Sequence, residues 1–122
     1  MKKNKILLIG THNKGKFREI SKLLSKKIKK ISPKSLMIKA PKETGKTFKS
    51  NSELKANFFY EKSKMISLSD DSGLEILALN KKPGIYSARW AKESGSFKKA
   101  MLKILNKIKD KKNRKARFIC SL

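Results

Sequence analysis

The feature that most constrains this chain is the join at Ile6-Leu7-Leu8-Ile9-Gly10. Four consecutive apolar residues end on a glycine, and helical spacing begins shortly after. A short apolar run of this kind reads as a buried strand. From Lys16 onward, Phe17, Ile20, Leu23, Leu24, Ile28 and Ile31 recur at helical spacing with lysines on the other face, and Pro33 marks the expected stop. Strand followed by amphipathic helix is the start of an α/β arrangement.

The rest of the chain continues the alternation. Leu36 to Ile38 is predicted as a second strand ended by Pro41, and 42–49 as a loop around Gly45. Ser50 to Glu53 has the spelling of a capping box, opening a helix with Leu54, Phe58 and Met65 on one side. Met65 to Leu68 reads as a strand, and Leu74, Ile76 and Ala78 as another, before a turn at Pro83-Gly84. Phe97, Met101, Ile104, Leu105 and Ile108 form a further helical stripe, and 110–114 a charged loop. Ala116, Phe118, Cys120 and Leu122 alternate with Arg117, Ile119 and Ser121 as in a strand, with Cys120 expected in the core. The class is α/β, a mixed sheet flanked by helices.

At 122 residues the chain fits one domain. No apolar run approaches the roughly 20 residues of a membrane span, and the opening MKKNKILLIG lacks a small-residue cleavage site. The expectation is a soluble, cytoplasmic protein. A single cysteine excludes an internal disulfide framework and a cysteine-based zinc site.

Thirty-three Lys and Arg against nine Asp and Glu give a net charge of +24. Such a balance points to phosphate-bearing ligands, nucleic acid or an anionic surface. Only four of the cations are arginines, the usual base-edge readers, and the lysines are spread along the chain, as amino-acid bias from an A/T-rich genome would also produce. The acids are more concentrated. Glu43, Glu53, Glu61, Asp70, Asp71 and Glu75 lie in one central stretch, where a cation would find ligands.

Three segments carry candidate chemistry. Thr11-His12-Asn13-Lys14-Gly15-Lys16 joins the first strand to the first helix, where backbone N–H groups and a lysine suit phosphate. Its spelling approaches a P-loop, but Phe17 stands where Ser or Thr would hold magnesium. An ordinary strand-to-helix turn is the alternative. Asp70-Asp71-Ser72-Gly73 sets two carboxylates at a strand end, suited to magnesium or to activating a water, or simply to a polar turn. Asn51 and Lys55 stand four apart on one helix face, either for an anion or for solvent. His12 is expected as a loop donor, and Trp90 and Tyr86 as packing residues.

Together these strings resemble one family. Thr11 to Lys16 with Glu19 is similar to its T-x-N-x-G-K-x-x-E opening. Glu43-Thr44-Gly45-Lys46-Thr47-Phe48 with Asn51, Lys55 and Ala56 is similar to its E-x-G-x-T-F…N-x-x-x-K-A segment. Asp70 to Leu74, Pro83 to Arg89, and Ala116-Arg117-Phe118 match its later strings. This is the inosine triphosphate pyrophosphatase family, which hydrolyses non-standard purine nucleoside triphosphates.

The resemblance implies a fold like that of the family, with residues 1–122 forming its N-terminal part as a single domain incomplete at the C-terminal end. It also implies hydrolysis of inosine, deoxyinosine and xanthosine triphosphates to the monophosphate and pyrophosphate. Glu43, Asp71 and Asp70 would hold magnesium, and Asp71 would activate water. Thr11, His12, Asn13, Lys14, Gly15, Lys16, Lys55 and Ser72 would bind the phosphates, with Arg89 in a phosphate or structural role. A homodimer is the expected assembly, without membrane or nucleic acid. The family's purine-holding Phe-Gly-Tyr-Asp-Pro and Ser-His-Arg segments do not occur here. A non-catalytic basic nucleic-acid-binding protein and an inactive family remnant are the alternatives.

Overall fold

The structure is a computed structural model that describes residues 5–122. The chain divides into two compact units, one running to Asp70 and one from Asp71 to Ser121.

In the first unit, β1 (Lys5–Ile9) is the middle strand of a parallel sheet, between β2 (Ile28–Ile31) and β3 (Ser67–Leu68). A central strand has neighbours on both edges, so Leu8 and Ile9 are fully buried, as their apolar run requires. α1 (Lys14–Leu23) is shorter than the sequence spacing predicts. Leu24 is extended, Ser25 turns the chain, and Ile28 and Ile31 lie in β2 rather than on the helix. Four residues that pair with β1 from Lys5↔Ile28 to Leu8↔Ile31 gain a ladder that a longer helix could not supply.

The strand expected at Leu36 to Ile38 is a 3₁₀ turn over Lys34–Leu36. Ser32 and Ser35 bind each other's backbone there, and Met37 adopts a left-handed conformation.

α2 (Phe48–Ser63) begins three residues earlier than the Ser50–Glu53 reading. Its capping box is Thr47 with Ser50: Ser50 N–H donates to Thr47 Oγ1 at 3.0 Å and Thr47 N–H to Ser50 Oγ at 3.1 Å. The buried face of α2 carries Asn51, Ser52 and Phe59, while Leu54 and Phe58 are half-buried and Met65 lies beyond the helix. β3 itself is confined to two residues.

In the second unit, β4 (Asp71–Ile76) is central and antiparallel to both β5 (Lys82–Pro83) and β6 (Ala116–Ser121). Parallel and antiparallel pairs thus occupy separate three-stranded sheets, within the predicted α/β class. Ala78 belongs to a 3₁₀ turn, not a strand. α3 (Ser87–Ser94) was not anticipated, because its apolar content is too sparse to show periodicity. It ends at Gly95, whose φ of +97° favours glycine.

α4 (Phe97–Ile108) follows the predicted stripe, capped by Ser96. Ile76, Ile104 and Ile108 form the core of this unit, with Leu74, Ala78, Leu79 and Trp90 packed on them. Trp90 is therefore a packing residue, as expected. Tyr86 is half exposed, with the Arg89 guanidinium 4.9 Å from its ring centre. Cys120 is a correction: it is exposed on β6 rather than in the core. The side of β6 carrying Ala116, Phe118 and Cys120 is open, and Ile119 and Ser121 are the half-buried positions.

Candidate functional site

The phosphate-loop candidates sit where β1 gives way to α1. Gly10 is required by close approach. A Cβ there would fall 2.1 Å from Ser69 Oγ and 2.5 Å from Phe59. Ser69 Oγ also donates to the Gly10 carbonyl at 3.1 Å, tying the end of β1 to the segment after β3.

Beyond Gly10, side chains fold the loop onto itself. Asn13 N–H donates to Thr11 Oγ1 at 3.2 Å, and Asn13 caps α1 by accepting from Lys16 N–H at 3.1 Å. His12 donates from Nε2 to the Ile38 carbonyl at 2.8 Å, as a loop donor should. The first turn of α1 contains no acid. Its positive end is therefore opposed by no carboxylate of its own.

Two of this unit's carboxylate–lysine pairs join candidate site residues to each other. Lys16 Nζ donates to Asp70 Oδ2 at 3.0 Å, and Lys55 Nζ lies 3.0 Å from Glu43 Oε1. The Asp70 side chain is buried and that of Lys55 nearly so. The structure thus brings together Lys16 with Asp70, and Glu43 with Lys55. Among the described residues, no group of three or more His, Cys, Asp or Glu is gathered as a metal cluster.

Asp71 and Ser72 open β4 in the second unit, aligned with Ser121 and Cys120 of β6, and Asp71 is buried. Arg89 lies exposed on α3.

Asn51 has a structural part in the fold. It is buried, and its Oδ1 accepts from Gly45 N–H at 2.7 Å, clamping the loop before α2. A Cβ on Gly45 would fall 2.5 Å from that same oxygen. Neither Asn51 nor Lys55 is a solvated helix position. Gly45 and Asn51 belong to one motif segment, whose spelling does not by itself reveal the clamp.

A cleft of about 240 Å³ runs beside the β1–α1 loop. Thr11, His12, Asn13 and Lys14 form one part of its wall, and Arg18 and Lys34 add cations that the motif reading did not single out.

The Ham1 family profile matches residues 7–122, nearly the whole chain. The chain belongs to the Ham1 family. The dITP/XTP pyrophosphatase of Zymomonas mobilis is 43% identical over 120 residues, covering 95% of this chain and 57% of that protein. The dITP/XTP pyrophosphatase of Bartonella quintana is 44% identical over 125 residues, covering 95% and 58%.

Two solved Ham1 structures are also similar. That of Staphylococcus aureus Ham1 has a TM-score of 0.83 at 36% identity, and that of a Coxiella burnetii HAM1 protein 0.86 at 32%; each match covers 95% of this chain and 60% of the other. The chain spans about three fifths of the length of the relatives it matches. The Ham1 fold therefore accounts for the strand-to-helix loop and for the two sheets. Among the described residues, no helix is long and apolar enough to cross a membrane.

Proposed function

We propose that this Ham1 chain serves the hydrolysis of non-standard purine nucleoside triphosphates, of the dITP and XTP class, to the monophosphate and pyrophosphate. The observation that carries this reading is the match of 95% of the chain to dITP/XTP pyrophosphatases at 43–44% identity. The β1–α1 loop supports it physically, as a basic helix start shaped by its own side chains.

In this reading Thr11 to Lys16, Lys55 and Ser72 hold the phosphates. Lysine ammonium groups offset the charge that develops on the departing pyrophosphate. Asp71 orients and deprotonates a water that attacks the α-phosphorus, and the bond from that phosphorus to the bridging oxygen breaks. Glu43, Asp70 and Asp71 would take magnesium, whose preference for hard carboxylate oxygens fits this donor set. Magnesium takes one or two carboxylates and completes its shell with water and substrate phosphate, so a preformed three-carboxylate cluster is not needed. When bound, the ion neutralises phosphate charge. The lysines now on Glu43 and Asp70 would then turn toward substrate phosphates. We place the activity in the cytoplasmic nucleotide pool, performed by a homodimer, with nucleic acid outside its substrates.

The test is pyrophosphate release from dITP, XTP and dATP by the purified chain, with magnesium or with a chelator. Release from dITP and XTP that needs magnesium and is lost in Asp71→Asn is the expected result. Undiminished release by Asp71→Asn, or no release from any triphosphate, would overturn the reading. Binding to DNA that weakens steeply with salt, with no hydrolysis, would favour a nucleic-acid role.

A further inference from the structure

α3 and α4 meet across a cleft of about 290 Å³ that lies wholly within the second unit. Trp90, Glu93 and Ser94 line it from α3 at helical spacing, and so share one helix face. Ala100, Lys103, Ile104 and Lys107 line it from α4 in the same way. Ala100 and Ile104 are buried and make an apolar floor. The Trp90 ring forms a wall, with the Lys107 ammonium 4.8 Å from its centre. That contact holds a positive charge beside the ring. Lys103 stands one helical turn before Lys107, and like charges at this spacing repel. Among the described residues neither lysine has a carboxylate partner, although Glu93 lines the same cleft. An apolar floor, an aromatic wall and a few charged groups that fix orientation are the make-up of a small-ligand site.

We propose that this cleft binds a small aromatic monocarboxylate. The ring packs against Trp90 and over Ala100 and Ile104, and the carboxylate accepts from Lys103 and Lys107, relieving their repulsion. Charge argues for a single negative group. Two ammonium groups against the Glu93 carboxylate leave the walls with one net positive charge, so a polyphosphate would set unanswered charge against Glu93. Size argues for a single ring, because the volume lies at the small end of the range for ligand sites, about 300–1,000 Å³. The apolar floor argues against an inorganic anion, which would lose hydration there without a partner. None of the lining residues belongs to the proposed nucleotide site, so the inference stands apart from the proposed activity.

Trp90 is the only tryptophan of the chain, so its emission reports on this cleft alone. The test is titration of the 122-residue chain with sodium benzoate, followed by Trp90 fluorescence, beside benzamide, acetate and tripolyphosphate. A saturable change with benzoate is expected. Benzamide keeps the ring without the charge and acetate the charge without the ring, so each should bind at least about tenfold more weakly. Lys103→Met and Lys107→Met should each weaken benzoate binding about tenfold, the loss of one charge-assisted hydrogen bond, with an unchanged circular dichroism spectrum. Lys103→Met keeps the test decisive if Lys107→Met disturbs the Trp90 ring. A response that never saturates, benzamide binding as well as benzoate, or a Lys103→Met chain that binds benzoate like the parent would overturn the proposal. So would tripolyphosphate displacing benzoate at lower concentration than benzoate itself requires, which would show diffuse positive charge and no built site.

Discussion

Lys16 in the first turn of α1 donates to Asp70 beyond β3, 54 residues away, at 3.0 Å. The Asp70 side chain is 3% exposed and that of Lys16 34%. A buried carboxylate is costly unless its charge is answered, and this pair offsets part of that cost. The lysine's contact with solvent moderates the strength of the bond without releasing the aspartate from burial.

Lys16→Ala should therefore lower stability by about 1–3 kcal/mol, below the full cost of breaking a wholly buried pair. Lys27→Ala, on an exposed position, should stay within about 0.5 kcal/mol. Urea denaturation of both variants measures this, and Asp70→Asn added to Lys16→Ala should recover part of the loss. Equal effects at Lys16 and Lys27 would mean the pair contributes nothing specific.

The remaining lysine–carboxylate pairs of the first unit should rank by burial. Lys55 is mostly enclosed against Glu43, whereas Lys49 and Glu53 are both exposed and 4.0 Å apart. Lys55→Ala is expected to cost about 1 kcal/mol and Lys49→Ala close to nothing, since exposed i,i+4 pairs are worth only about 0.3–0.5 kcal/mol. Thermal melts in low and high salt would show the Lys49 effect disappearing while the Lys55 effect persists.

Gly10→Ala should be among the most damaging small substitutions. The added methyl meets Ser69 Oγ and the Phe59 ring, both in the buried part of the first unit. Overpacking of this kind costs about 1–3 kcal/mol. The Ser69→Gly background removes one of the two obstacles and should return part of the loss. A Gly10→Ala chain as stable as the parent in guanidinium would contradict the close approach.

Asn51→Ala removes the acceptor for Gly45 N–H from a buried position. The expected cost is about 1–3 kcal/mol, from leaving a partly buried donor unanswered. The loop over residues 42–47 should also become more accessible to trypsin, which can cleave after Lys42 or Lys46. Unchanged proteolysis in this loop would show that the clamp does not hold it.

In the second unit the α4 stripe should split in two. Ile104→Ala is expected to cost about 2–5 kcal/mol, as a buried core truncation. Leu105→Ala, one residue on and half exposed, should cost under about 1 kcal/mol in the isolated chain. Comparable losses at the two positions would mean Leu105 is already covered.

Several features were legible without a fold. The apolar run at Ile6 to Ile9, the α4 stripe and the order of motifs determined the α/β class and the family, because local periodicity and motif spelling are properties of the chain itself. The acid pair at Asp70-Asp71 and the loop from Thr11 to Lys16 were legible for the same reason.

What only the tertiary structure decided is where those patterns stop and what they face. Ile28 and Ile31 continue a helical spacing, yet they pair with β1, because a ladder to a buried strand outweighs a modest helix preference. Leu36 to Ile38 is apolar enough for a strand, yet serine side chains close a turn there. Asn51 stands at a helix start where an amide reads as facing an anion or solvent, but it is buried and its oxygen accepts from Gly45 N–H. Cys120 and Phe118 alternate as core residues do, yet α4 covers β4 and stops short of β6. Periodicity specifies that a residue has an apolar side to bury; which neighbour arrives to bury it depends on contacts distant in sequence, and those exist only once the chain has folded.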